Sequence, residues 1–112
     1  MKEMVIIIRP EKLEKVKQIM DHEKLGGISI SSVMGCGTQR GVEETGVQSA
    51  VPANLLPKIR VQIVLEDEKV EDIIARIRDE VATGHVGDGK IFVRDVEDAV
   101  RIRTGEHGNR AI

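Results

Sequence analysis

A chain of 112 residues with a formal charge of −2 has room for one domain and lacks the basic excess of a general nucleic-acid binder. Hydrophobic residues make up 40% of it, but Phe92 is the sole aromatic, so the expected core is small, aliphatic and helped by oligomerisation. The single cysteine excludes an intrachain disulfide, and the sequence has neither a leader-like apolar segment nor the roughly 20 apolar residues of a membrane helix, so a cytoplasmic setting is expected.

Met4 to Ile8 is an apolar, largely β-branched run ended by Arg9-Pro10, which suits a buried strand. Pro10 can open a helix, and Leu13, Val16, Ile19 and Met20 follow at helical spacing with Lys12, Glu14, Lys15 and Lys17 opposite. Gly26-Gly27 is the expected end of that helix. Ile28, Ile30 and Val33 nearly alternate with serines, as in a half-buried strand.

From Gly35 to Asn54 no period survives. Leu55 to Leu65 regains strand character, with Ile59, Val61 and Ile63 alternating against Lys58, Arg60 and Gln62. Glu66, Asp67 and Glu68 precede the clearest helix, whose apolar stripe is Val70, Ile73, Ile74, Ile77 and Val81. Thr83-Gly84 closes it, His85 to Gly89 forms a loop, and Ile91-Phe92-Val93 is another strand. Val100 to Arg103 alternates apolar with basic and is expected as a short strand or edge, with a loosely held tail from Thr104. The order β-α-β, long loop, β-α-β predicts an α+β, ferredoxin-like βαββαβ fold with an antiparallel sheet.

Structureless loops of about 20 residues are uncommon in compact domains and are usually functional or disordered. The base of this one, Gly35-Cys36-Gly37-Thr38-Gln39-Arg40-Gly41, lets backbone approach a ligand closely. A second candidate is Thr83-Gly84-His85-Val86-Gly87-Asp88-Gly89-Lys90, where turn amides beside a lysine suit an anion. Arg101 and Arg103, expected on one side of a strand, add two guanidinium groups suited to phosphate oxygens. The spacing is not that of a Walker motif, and no histidine pair has metal-ligand spacing.

Taken together these residues resemble the PII nitrogen-regulatory signal-transduction family. The resemblance is carried by Thr83-Gly84-x-x-Gly87-Asp88-Gly89-Lys90-Ile91-Phe92-Val93, then Val100-Arg101-Ile102-Arg103-Thr104-Gly105-Glu106, with Arg9-Pro10, Lys12-Leu13, Gly35-x-Gly37-x-Gln39-x-Gly41 and Leu56-Pro57-Lys58 in order. It implies one domain over 1–112, with a T-loop at about 37–55, a B-loop at about 82–90 and a C-terminal segment at about 101–112. It also implies a homotrimer with nucleotide clefts between subunits.

By the same resemblance, ATP or ADP would meet Ser29, Gly35, Cys36, Gly37, Thr38, Gln39, Lys58, Val64, Gly87, Asp88, Gly89, Lys90, Arg101 and Arg103. The effector 2-oxoglutarate would meet Gly37, Gln39, Arg40, Gly41, Lys58 and Gly87, with Gln39 helping to hold a Mg2+ ion shared with ATP. The implied role is non-catalytic control of a partner through the T-loop. The partner would be an ammonium transporter, a nitrogen-assimilation enzyme, nitrogenase or a carbon-metabolism protein. The alternatives are a slow ATPase, or a trimer of this fold that has lost 2-oxoglutarate sensing and serves other partners.

Two departures bear on these expectations. Thr38 stands where relatives often carry an arginine that contacts the γ-phosphate. Val51 stands where many carry a tyrosine that accepts a nucleotide, and the chain has no tyrosine. Ser49 lacks the flanking residues of phosphorylated relatives and is read as a solvated serine. Cys36 is read as a small packing residue.

Overall fold

A computed structural model describes residues 1–35 and 55–112. Its elements are β1 (Lys2–Ile8), α1 (Leu13–His22), β2 (Ser29–Gly35), β3 (Leu56–Leu65), α2 (Val70–Glu80) and β4 (Lys90–Asp95). The strands form one antiparallel sheet in the order β2-β3-β1-β4, and with the two helices they give the βαββαβ order read from the sequence.

The register sorts side chains by face. Met4, Ile6 and Ile8 lie opposite Ile63, Val61 and Ile59, so their side chains share the face that the helices cover. Val16, Ile19 and Met20 of α1 and Val70, Ile73 and Ile77 of α2, with Val81 just beyond, complete this aliphatic core. Both helices therefore owe their position to a narrow apolar stripe rather than to capping side chains, which neither has.

The two halves enter their helices alike. Arg9 and Glu66 are extended, a 3-10 turn follows at Pro10–Lys12 and Asp67–Lys69, and the α-helix then begins. The exit of α1 differs from expectation. The helix stops at His22, before Gly26-Gly27, and Lys24 takes the left-handed turn at φ 54°. The Lys24 amide bonds the Asp21 carbonyl and the Leu25 amide bonds the Met20 carbonyl, both at 3.0 Å. These are the paired bonds of a Schellman stop, with Leu25 folded back onto the core. The apolar anchor Leu25 fixes the end, and the glycines fall in the connection beyond.

The C-terminal part also differs. Val100 to Arg103 is not a strand; an isolated bridge pairs Val100 with His107 around a turn. Gly105, at φ 74°, donates to the Arg101 carbonyl at 2.7 Å, and Arg101 donates to the Glu106 carbonyl at 2.9 Å. Thr104-Gly105 thus reverses the chain before a four-residue alternation can extend. The tail is not loose: the Asp98 carboxylate pairs with His107 Nδ1 at 2.7 Å and accepts the Gly108 amide, and a 3-10 turn covers Gly108–Ala111.

Candidate functional site

The register brings four segment ends together at one end of the sheet. Ile8 pairs with Ile59, Ile7 with Lys90 and Val33 with Lys58, so the exit of β1, the start of β3, the start of β4 and the end of β2 are neighbours. The turn between α2 and β4 closes over this end.

Asp88 organises that turn. Its carboxylate accepts the Thr83 hydroxyl at 2.5 Å and the Thr83 and Gly84 amides at 2.8 and 2.9 Å. Arg9 Nε also reaches it at 3.3 Å. The Thr83 hydroxyl foremost, then the two amides and Arg9, outweigh desolvation and hold its carboxyl far below the usual carboxylate range. The side chain expected beside a nucleotide is committed to the turn itself. Sequence reading assigned Arg9 no part in the site, although Arg9-Pro10 was among the matching residues; its contacts lie 77 and 79 positions away along the chain.

Two cations, Lys58 of β3 and Arg9 just past β1, grip the same turn by its carbonyls. Arg9 Nη2 donates to the Val86 carbonyl at 2.7 Å, and Lys58 Nζ donates to the Gly87 carbonyl at 2.6 Å. Lys58 is only 8% exposed, against the expectation of an outward side chain on an alternating strand. It does lie on the helix-free face with Arg60 and Gln62, but the turn folds over it. Gly35 lies alongside: a β-carbon there would meet Lys58 Cγ at 3.0 Å.

Gly87 and Gly89 both sit at φ 102°, conformations that a side chain would strain. Among the described residues the Gly87 amide has no intramolecular acceptor, while the Asp88 amide faces the His85 carbonyl across the turn at 86–87. The exposed Lys90 follows directly. Behind the turn, between α2 and β4, a groove of about 360 Å³ runs over Ile74, Ile77 and Ile91 to Arg78, Gly89 and Lys90.

The fold therefore gathers Gly35, Lys58, Gly87, Asp88, Gly89 and Lys90. It does not gather the rest within one chain. Ser29 pairs with Gln62 and Val64 with Glu3, several rungs toward the other end of the sheet. Arg101 and Arg103 follow β4, which leaves at that far end, where the Val96 amide meets the Met1 carbonyl. Both arginines are exposed, and neither has an ion-pair partner among the described residues. Cys36, Gly37, Thr38, Gln39, Arg40, Gly41, Ser49 and Val51, with nearly all of the expected T-loop, lie outside the described residues. Among the described residues no cluster of three or more His, Cys, Asp or Glu side chains is arranged to hold a metal, and no helix is long and apolar enough to cross a membrane.

The sequence matches the family described as "Nitrogen regulatory protein P-II" over residues 1–106. The chain belongs to the P-II family. Among its relatives is Nitrogen regulatory protein P-II 1 of Methanothermobacter thermautotrophicus, 46% identical over 112 residues that cover all of this chain and 97% of the relative. Nitrogen regulatory protein P-II 2 of the same organism is 44% identical with the same coverage. Nitrogen regulatory protein P-II of Rhizobium meliloti is 44% identical with both chains covered in full. The P-II match thus spans both sheet ends, the turn at 83–89 and the hairpin that carries Arg101 and Arg103.

Proposed function

We propose that this chain is a non-catalytic nitrogen-regulatory signalling protein that binds ATP or ADP through the turn at 83–90. The observation that carries the reading is that turn. Its Gly87 amide has no acceptor among the described residues, the Val86 and Gly87 carbonyls are held by cations, and Lys90 stands beside it. Turn amides backed by a lysine are suited to phosphate oxygens. The names of the relatives support a regulatory role in nitrogen metabolism.

The separation of Ser29, Val64, Arg101 and Arg103 from the turn supports a shared site. From Lys58 to Val64 a strand advances about 20 Å at ~3.3 Å per residue, more than one phosphate group spans. In a homotrimer, a neighbouring copy would bring its Arg101 and Arg103 to the phosphates. Exposed apolar side chains at both sheet edges, Ile30 and Met34 on β2 and Phe92 and Val93 on β4, fit such burial.

The second ligand in this reading is 2-oxoglutarate. Lys58, buried and charged with a neutral carbonyl as its partner, has donors left for a carboxylate. Gln39 would help hold Mg2+ between the acid and ATP, offsetting their mutual repulsion. The T-loop would carry the result to a protein of nitrogen or carbon metabolism, without modification of a tyrosine.

Calorimetry tests this directly. Titrating 2-oxoglutarate into protein loaded with Mg·ATP should give heat that is absent without nucleotide. No heat in the loaded state removes the 2-oxoglutarate part, and a monomer in sedimentation removes the shared cleft.

A further inference from the structure

We infer that Lys58 and Arg9 are positioning residues for the nucleotide site: by holding two successive carbonyls, they fix the two peptides on either side of Gly87 and so set the turn that meets the phosphates. The inference rests on the nucleotide reading of the turn and adds the device that prepares it.

The geometry is that of the trans peptide, and the described chain has no cis bond. In a trans peptide the carbonyl of one residue and the amide of the next point in opposite directions. Arg9 Nη2 holds the Val86 carbonyl at 2.7 Å, so the Gly87 amide faces away from Arg9. Lys58 Nζ holds the Gly87 carbonyl at 2.6 Å, so the Asp88 amide faces away from Lys58. The Gly87 amide has no acceptor among the described residues, while the Asp88 amide is aimed across the turn toward the His85 carbonyl. A turn amide like that of Gly87, next to a lysine, suits a phosphate oxygen.

The turn needs these grips because its own backbone is permissive. Gly87 and Gly89 both lie at φ 102°, and glycine visits either sign of φ with little bias. Asp88 secures Thr83 and Gly84 at the start of the turn, but its contacts do not set the peptides on either side of Gly87. Arg9 and Lys58 each hold the carbonyl of one of those two. Lys58 reaches this place because the end of β2 is Gly35, whose missing side chain leaves room for the lysine stem. A buried ammonium on one neutral carbonyl is poor value for stability, since desolvation offsets much of the bond. Methionine of similar length can fill the stem without the charge, so stability and positioning separate experimentally.

The test measures Mg·ATP binding without any 2-oxoacid, by equilibrium dialysis, for the wild type, Lys58→Met and Arg9→Gln. Hydrogen exchange of the 82–90 segment in the ligand-free proteins is the second readout. Each variant should bind Mg·ATP about tenfold more weakly and exchange that segment about tenfold faster, as expected for one lost charge-assisted bond. Lys58→Met that binds Mg·ATP as tightly as the wild type overturns the inference. If Lys58→Met fails to fold, Arg9→Gln decides by the same criterion. If the wild type itself binds no Mg·ATP, the nucleotide reading falls, and unchanged exchange in the variants would sink the positioning role separately.

Discussion

Gly89 lies against the backbone of Ile7: a β-carbon at Gly89 would stand 1.7 Å from the Ile7 carbonyl oxygen and 2.7 Å from its carbon. No side-chain motion relieves a clash with main chain in a central strand. Gly89→Ala should therefore displace the turn, with a loss of at least ~3 kcal/mol in chemical unfolding. Gly84 is the control, with φ 83° but nothing within 4 Å of its would-be β-carbon. Gly84→Ala should cost only ~1 kcal/mol.

Acid should loosen the same turn. The folded carboxyl of Asp88 titrates below its ordinary value of 3.8, chiefly because the Thr83 hydroxyl bonds the charged form. A depressed folded pKa contributes stability that is fully present above the unfolded value and is lost as pH falls below it toward the folded one. Asp98, held by His107, and Asp67, held by the N-terminal ammonium, are shifted in the same direction. Unfolding stability should thus decline from about pH 4 downward. Asp88→Asn should flatten that decline, and an unchanged slope would show that Asp88 does not contribute to it.

Lys24 pays the strain of a left-handed residue at an exposed helix stop. Lys24→Gly should raise stability by about 0.5–1 kcal/mol, because the Schellman bonds use only its backbone. A loss of stability on thermal melting would mean that the Lys24 side chain matters more than its conformation.

Under the proposed function, Lys90→Ala and the pair Arg101→Ala and Arg103→Ala should each weaken ATP. Charge-assisted contacts contribute about 1.5–3 kcal/mol, so losses of about ten- to a hundredfold are expected in calorimetry. These side chains are exposed, so melting temperatures should hardly move.

The halves of the fold were legible because each pairs an aliphatic strand with an amphipathic helix, and the core is those same residues. Helix ends were less so. Gly26-Gly27 signalled a stop that Leu25, an apolar anchor, set earlier. Val100 to Arg103 alternated over too few residues to outweigh the Thr104-Gly105 reversal. In the site, the Gly87 to Lys90 run was visible as turn glycines beside a lysine, and its nucleotide role was implied only by the family resemblance. The burial of Lys58 was not, since local alternation cannot show that a turn about thirty residues later folds over one lysine. Arg9 was hidden for the same reason: its carbonyl partner is 77 positions away.

The most direct measurement is equilibrium dialysis of labelled ATP against the purified wild type and Gly89→Ala. Saturable binding below millimolar nucleotide by the wild type, lost when the turn is displaced, is the predicted result. No binding at millimolar ATP, or equal binding by a folded Gly89→Ala protein, would contradict a nucleotide site built on this turn.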